Sequence, residues 1–209
     1  MTWSEWWSPR PVPPSGGFTS DDLDRLADLP RRTELFDGDL VALDPQTVWH
    51  SRMLSLLEHA LVGQVPDEFE VFREFDVELD ERNRVAPDVL VATAGADTGP
   101  KDTWLRPEDV LLAVEAVSVD SAERDRDVKP RKYAAVGIPH FWRVERRGGQ
   151  PFVHVYELDP ATRNYGLIGI QRDRLELAAP FSVDIDVTAI DSRRGGRSAV
   201  DGPGCAAEN

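Results

Sequence analysis

The chain has 209 residues, of which 41% are hydrophobic and 30% are charged, and its formal net charge is −14. This length suits one well-filled domain of a soluble globular protein and is too short for two large ones. The negative charge opposes general attraction to nucleic acid, and the single cysteine, Cys205, excludes intrachain disulfides and thiolate zinc sites.

Residues 1–19 predict an arm without regular structure, because Trp3, Trp6 and Trp7 are followed by several prolines and glycines. We expect the tryptophans to pack on the body of the protein or on a second subunit, and a disordered start is the alternative. No apolar run approaches the length of a membrane span and no signal-peptide pattern opens the chain, which favours a cytoplasmic location.

The first regular elements follow from local patterns. Ser20 precedes two acids and a helical spacing of leucines, which predicts a short helix capped by this serine. Residues 33–43 predict a β-hairpin with Asp-Gly at its turn, and residues 46–62 have the apolar spacing of a helix. Residues 69–79 alternate between apolar and polar positions, which predicts one strand with a solvated face.

Two apolar, β-branched runs of strand length, residues 84–92 and 110–118, each contain one acid, Asp88 in the first and Glu115 in the second. An ionised carboxylate is costly to bury without a partner. If the two strands pair, both carboxylates can meet at one end of the sheet, where a shared metal ion would explain them. Oxygen ligands suit Mg²⁺ or Mn²⁺, with water completing the coordination shell.

A lysine is missing from this arrangement. In the pattern Pro-Asp…Glu-x-Lys, two strand-borne carboxylates hold a divalent metal ion and a lysine two residues after the glutamate helps to activate water, but Val117 occupies that position. Lys129 is the nearest candidate to supply the ammonium group. We therefore predict that its amine lies within direct or one-water reach of Asp88 or Glu115.

The surroundings of Lys129 allow two interpretations. Pro130 suits the first turn of a helix, so we predict a loop or short turn up to Lys129 and a helix from Pro130 to Gly137, with Tyr133 on the same face as Lys129. Alternatively, Lys129 belongs to a solvated basic run, which is also the best local candidate for phosphate contacts. The other members of that run are Arg124, Arg126, Arg131 and Lys132.

The remaining segments carry weaker signals. Residues 93–109 are long for a plain connection and contain Trp104, which could stack on a base or cover the sheet. Later strands are predicted at residues 140–145, 152–158 and 163–190. Residues 192–209 predict a disordered tail, which leaves one domain at residues 20–191.

The order of several motifs carries a resemblance to a known family. These motifs are Glu34–Leu40, His50, Pro87–Val91, Val114–Ser118 and Lys129–Glu145. In this combination the chain resembles the Uma-two family, a bacterial group of predicted endonucleases, over about residues 20–158. The resemblance implies an α/β (α+β) fold of the restriction-endonuclease-like type, with a mixed β-sheet flanked by helices and an extra β-hairpin region.

The resemblance also implies a site and an activity. Asp88 and Glu115 would bind Mg²⁺ or Mn²⁺, Lys129 would be the displaced lysine, and Glu34 matches an acid found early in the family. His50 matches a histidine near the start of the family's long helix, although it could simply be a hydrogen-bonded histidine, just as Glu34 could simply pair with an arginine. The implied activity is metal-dependent hydrolysis of DNA phosphodiester bonds.

Other functions stay open from the sequence. Val117 and the charge of −14 are also compatible with a non-catalytic binding or assembly protein that keeps the nuclease fold. A metallohydrolase acting on a smaller phosphate ester is a third possibility. We further predict a homodimer, because the tryptophan-rich arm and the apolar run at residues 138–142 resemble interface segments.

Overall fold

The computed structural model describes residues 11–96 and 103–192. Its strands are β1 (Thr33–Phe36), β2 (Asp39–Ala42), β3 (Phe69–Arg73), β4 (Asp76–Asp80), β5 (Asn83–Val85), β6 (Val89–Thr93), β7 (Trp104–Leu105), β8 (Val110–Ala116), β9 (His140–Arg147), β10 (Gln150–Asp159), β11 (Asn164–Arg172), β12 (Arg174–Leu177) and β13 (Val183–Asp186). Its α-helices are α1 (Ser20–Arg25), α2 (Val48–Val62), α3 (Lys129–Val136) and α4 (Ala189–Ser192).

The larger sheet has eight strands in the order β13-β12-β11-β10-β9-β8-β6-β3. It is mixed, because β8 runs antiparallel to β6 and parallel to β9. The alternation of side chains gives it two buried faces. One face packs against the leucines and Met53 of α2, and the other packs against Tyr133 of α3 and against strands of the smaller sheet. The predicted mixed sheet flanked by helices is therefore confirmed.

The smaller sheet has the strand order β2-β1-β5-β4-β7 and contains the predicted hairpin. At its turn, Asp37 has a φ of 50° and Gly38 a φ of 87°, the pair of positive values that a type I′ turn requires. This turn chemistry is local, so the sequence alone could specify it. Because Glu34 lies on β1, the hairpin carries one of the predicted site residues.

Two strand predictions were wrong, and both errors lie where the chain passes between the sheets. Residues 69–79 form two strands rather than one, because Glu74 has a φ of 50° and ends β3 before β4 begins. Residues 84–92 are likewise divided into β5 and β6 around Pro87. Proline cannot donate a ladder hydrogen bond, so it interrupts the pairing there.

Two helix predictions also need correction. Thr19 caps α1, since the Asp22 carboxylate accepts a 2.9 Å hydrogen bond from the Thr19 N–H, and Ser20 is already helical. The segment before Lys129 is not a loop: Arg124–Val128 is a π-helical turn that continues directly into α3. The predicted end of α3 is confirmed, because Gly137 adopts a φ of 92° and closes the helix.

Several other predictions concern the periphery. Trp3, Trp6 and Trp7 lie outside the described residues, as does the tail beyond residue 192. Residues 11–19 contain no helix or strand, as predicted, but they do contact the body, because Phe18 is buried and its N–H donates to the Gly38 carbonyl at 2.8 Å.

The apolar run at residues 138–142 does not supply an interface. Ile138, Phe141 and Trp142 are at most 1% exposed, so they belong to the core of this chain. Trp104 is half-buried on β7, the edge strand of the smaller sheet, where it pairs with Asp76 of β4. Within the described part of the chain, no helix has the length and apolar character needed to cross a membrane.

Candidate active site

Four predicted site residues come together at the seam between the two sheets. Glu34 comes from β1 of the smaller sheet, Asp88 directly precedes β6, Glu115 lies near the end of β8, and Lys129 begins α3. The antiparallel register pairs Val89 with Val114, which places the next positions, residues 88 and 115, side by side at the end of the ladder. All four side chains are at most 7% exposed.

The ammonium group of Lys129 lies between two carboxylates. Its Nζ is 2.9 Å from Oε1 of Glu34 and 3.1 Å from Oε1 of Glu115. The predicted position of this amine is therefore confirmed. Lys129 reaches Glu115 of β8 from the first position of α3, directly after the π-helical turn.

Asp88 is held by groups from three different segments. Its Oδ2 accepts a hydrogen bond of 2.8 Å from the Ala116 N–H, and its Oδ1 lies 3.1 Å from Nε2 of His50 and 3.9 Å from the Arg32 guanidinium. His50, which the sequence left between a structural and a functional role, is thus in direct contact with a predicted metal ligand.

The other two carboxylates are also fixed by buried donors. The Tyr133 hydroxyl donates to Oε1 of Glu115 at 2.6 Å, and because Tyr133 lies one helical turn after Lys129, α3 presents both donors to one acid. The Ala86 N–H donates to Oε1 of Glu34 at 3.0 Å. Oε2 of Glu34 is buried and has no hydrogen-bond partner within residues 11–96 and 103–192.

Sequence reasoning missed Asp125. Its carboxylate is 2% exposed, lies 4.0 Å from Nζ of Lys129 and accepts a short hydrogen bond from the Ser121 hydroxyl. The spacing of Asp125, Lys129 and Tyr133 could have identified it from the sequence, because residues four apart lie on one face of a helix. The surrounding run of charged residues concealed it, because such runs usually face solvent.

The basic run divides between two environments. The Lys129 side chain is 5% exposed, whereas Arg131 is 75% exposed and pairs with Asp127 on the surface. Lys132 pairs with Asp37 at 2.7 Å, and Arg126 pairs with Glu145 at 2.9 Å. Lys129 is therefore distinguished from its neighbours by burial rather than by residue type.

Burial sets the electrostatics of the cluster. It raises the pKa of Glu115 well above the usual range, and it raises the pKa of Asp125 to about 6. For Lys129, burial acts to lower the pKa, but Glu115 and Glu34 outweigh it and raise the pKa above the ordinary value, so the amine stays charged. Four buried carboxylates thus face one buried ammonium, and either protons, as the raised pKa values of Glu115 and Asp125 indicate, or a bound cation can balance them.

The cluster lines a cavity of about 140 Å³ that is also bordered by Arg32, His50 and Arg124. The donor set consists mainly of carboxylate oxygens, one of them the unpartnered Oε2 of Glu34, and such donors suit Mg²⁺ or Mn²⁺. Across the described ranges, no three His, Cys, Asp or Glu side chains surround a common point as metal ligands. Two of these carboxylates could hold such an ion, with water completing its coordination shell.

Comparison with known proteins adds two findings. The model of the family described as Uma2, putative restriction endonuclease, matches residues 20–189. The crystal structure of a putative nuclease belonging to DUF820 from Anabaena variabilis superposes with a TM-score of 0.64 at 15% identity, covering 84% of this chain and 98% of that one. At that identity the likeness supports the fold alone. No functionally curated protein matches the chain.

Proposed function

The chain belongs to the Uma2 family of putative restriction endonucleases, and on that premise we propose that it is a metal-dependent nuclease that hydrolyses DNA phosphodiester bonds. The observation that carries this proposal is the buried cluster in which Lys129 lies between Glu34 and Glu115, with Asp88 on the neighbouring strand. Buried carboxylates in excess over buried ammonium groups are costly unless they bind protons or a cation, and a divalent cation can displace those protons.

Asp88 and Glu115 would hold the metal ion, and Mg²⁺ or Mn²⁺ bound there would polarise a phosphoryl oxygen and lower the pKa of a bound water. The protein orients both ligands in advance. The Ala116 N–H fixes Asp88, and the Tyr133 hydroxyl fixes Glu115. Such preorganisation lets the site act on the substrate without first rearranging its ligands.

Two further side chains have roles that follow from their positions. The Lys129 ammonium is the only buried lysine amine in the cluster, and it can donate hydrogen bonds to an oxygen on which negative charge develops. Oε2 of Glu34, buried and without a partner among the described residues, can accept a proton from the attacking water.

Plasmid nicking in Mg²⁺ or Mn²⁺ tests the proposal. We expect Asp88→Asn and Glu115→Gln to reduce cleavage by about 100-fold or more, because each removes a charged group at the reacting centre. The matched control is Asp76→Asn, which removes a carboxylate on β4 that pairs with Arg84 at 2.8 Å outside the cavity. Cleavage that is unchanged by both cluster substitutions and equal to the control would contradict the assignment.

A non-catalytic binding protein is the second candidate, because Lys129 already supplies one internal counter-charge to Glu34 and Glu115. Calorimetric titration with Mn²⁺ separates the two functions. The nuclease proposal expects heat of binding that is lost in the Asp88→Asn/Glu115→Gln double variant. A binding-only protein would give no heat, or heat that survives the double substitution.

A further inference from the structure

A second, larger cavity adjoins the carboxylate cavity. Its volume is about 680 Å³, and Thr47, Ser118 and Val119 line both cavities, so the two lie next to each other. We call the larger cavity the arginine groove, because Arg52 from α2, Arg126 from the helical turn before α3 and Arg146 from β9 all line it. None of these arginines contributes to the carboxylate cluster.

The arginine groove is locally positive on an acidic protein. Glu145 is its one acidic lining residue, and this buried carboxylate is already paired with Arg126 and Arg147 at 2.9 and 3.2 Å. Arg52 and Arg146 form no ion pair with any residue of the described ranges. Arginine guanidinium groups that lack a carboxylate partner are suited to bind phosphate oxygens.

Apolar side chains border the same groove. Val48 is 69% exposed and Val119 is 92% exposed, so neither contributes to the core, and Val119 lies where the two cavities join. Trp49 is half-buried beside them, with the guanidinium of Arg146 at 5.9 Å from its ring. An aromatic ring such as that of Trp49, next to arginines and exposed apolar side chains, is the kind of surface on which unpaired bases stack.

We infer that the arginine groove binds an unpaired stretch of a nucleic acid strand, adjoining the phosphodiester in the carboxylate cavity. The phosphates lie against Arg52 and Arg146, and a base packs on Trp49 beside Val48 and Val119. This inference rests on the proposed function, which it narrows to substrates with single-stranded character. A duplex would bring a second charged strand onto a protein with a net charge of −14, whereas a single strand need contact only the groove.

The test is binding of a labelled oligonucleotide, measured by fluorescence anisotropy in EDTA so that no cleavage occurs. We expect tighter binding of the single strand than of its duplex, and weaker binding by the Arg52→Ala/Arg146→Ala variant. Each lost phosphate contact should reduce the slope of log K against log salt by about 0.7, or about 1.4 for the pair.

Two variants control for charge and for folding. The Arg52→Lys/Arg146→Lys variant keeps both charges and should keep most of the slope of log K against log salt. Thermal melting checks that each variant folds. Arg106→Ala removes an arginine that is 69% exposed and lies outside both cavities, and it should leave the slope unchanged.

The outcomes separate this inference from the proposed function. The groove does not bind a single strand if the duplex binds equally or more tightly, or if the double alanine variant leaves the salt slope unchanged. Either result would contradict this inference even if the protein cleaves DNA. Conversely, arginine-dependent binding of the single strand supports the groove even if Mg²⁺ or Mn²⁺ produces no cleavage, in which case only the nuclease proposal fails.

Discussion

Glu115 is a core residue by position and a site residue by chemistry. It is 1% exposed within a strand whose neighbours are all apolar, and it is stabilised by two donors from one face of α3, Lys129 and Tyr133. Because Lys129 arrives from a helix rather than from the strand itself, Val117 does not leave the carboxylates without an ammonium group.

The first prediction concerns the Tyr133 hydroxyl. Tyr133→Phe removes the 2.6 Å hydrogen bond to Glu115 and leaves a buried acceptor with one donor fewer, so we expect the free energy of unfolding to fall by about 1–3 kcal/mol. Mn²⁺ affinity should fall as well, because Glu115 loses the group that orients it. Urea denaturation and calorimetry measure the two effects.

Tyr165→Phe is the matched control for this substitution. Its hydroxyl donates to the Ile138 carbonyl at 2.7 Å, away from the carboxylates, so its loss should lower stability without changing the Mn²⁺ affinity. If Tyr133→Phe bound Mn²⁺ as well as the Tyr165 variant does, the hydroxyl would have no role in orienting Glu115.

At the scale of elements, local chemistry was predictable from the sequence and the path of the chain between sheets was not. The Asp37-Gly38 turn follows from two adjacent residues that tolerate positive φ, and the apolar runs that form β6 and β8 are evident in the sequence, whereas their pairing is seen only in the structure. The alternation of residues 69–79 continues through Glu74, so the pattern gave no sign that the chain changes sheet there.

The hairpin that carries Glu34 gives the second prediction. Gly38→Ala places a Cβ against the Arg82 guanidinium and also strains a backbone at a φ of 87°, whereas Gly137→Ala, at a φ of 92°, meets nothing within 4 Å. A residue in this region costs about 1–2 kcal/mol from its backbone alone, so we expect Gly38→Ala to destabilise the protein more than Gly137→Ala does. Chemical denaturation of both variants checks this, and equal losses would show that Arg82 moves aside freely.

The third prediction concerns Glu145 on β9 and the pH dependence of stability. Burial acts to raise the pKa of Glu145, but hydrogen bonds from Arg126 and Arg147 and the nearby Arg143 outweigh it, so the pKa lies below the ordinary 4.5. A depressed pKa contributes stability that is present above about pH 4.5 and is lost as the pH falls through the folded-state value.

The free energy of unfolding of the wild type should therefore fall more steeply than that of Glu145→Gln as the pH drops below 4.5. Urea titrations across this pH range provide the measurement. Parallel curves for the two proteins would mean that the three arginines do not stabilise the ionised form of Glu145.

At the scale of the whole molecule, the predicted homodimer now rests on the tryptophan-rich arm, because Ile138, Phe141 and Trp142 are buried in the core. Sedimentation of the full chain beside a chain that begins at Pro11 tests this, and we expect the full chain to be a dimer and the shorter one a monomer. The shorter chain keeps Phe18, which is buried against the body of the protein, and Thr19, which caps α1. A monomer in both cases would exclude the dimer, and a dimer in both would exclude the role of the arm.

The position of the carboxylate cluster at the seam between the sheets has a consequence for folding kinetics. Glu34 belongs to the smaller sheet, Asp88 and Glu115 lie at the end of one strand pair of the larger sheet, and Lys129 begins α3. The complete cluster requires that the two sheets and α3 have docked, and we expect this docking to follow the folding transition state. Interactions that form after the folding transition state change mainly the rate of unfolding. A divalent cation bound by this cluster should therefore slow unfolding in urea-jump experiments and leave the refolding rate nearly unchanged.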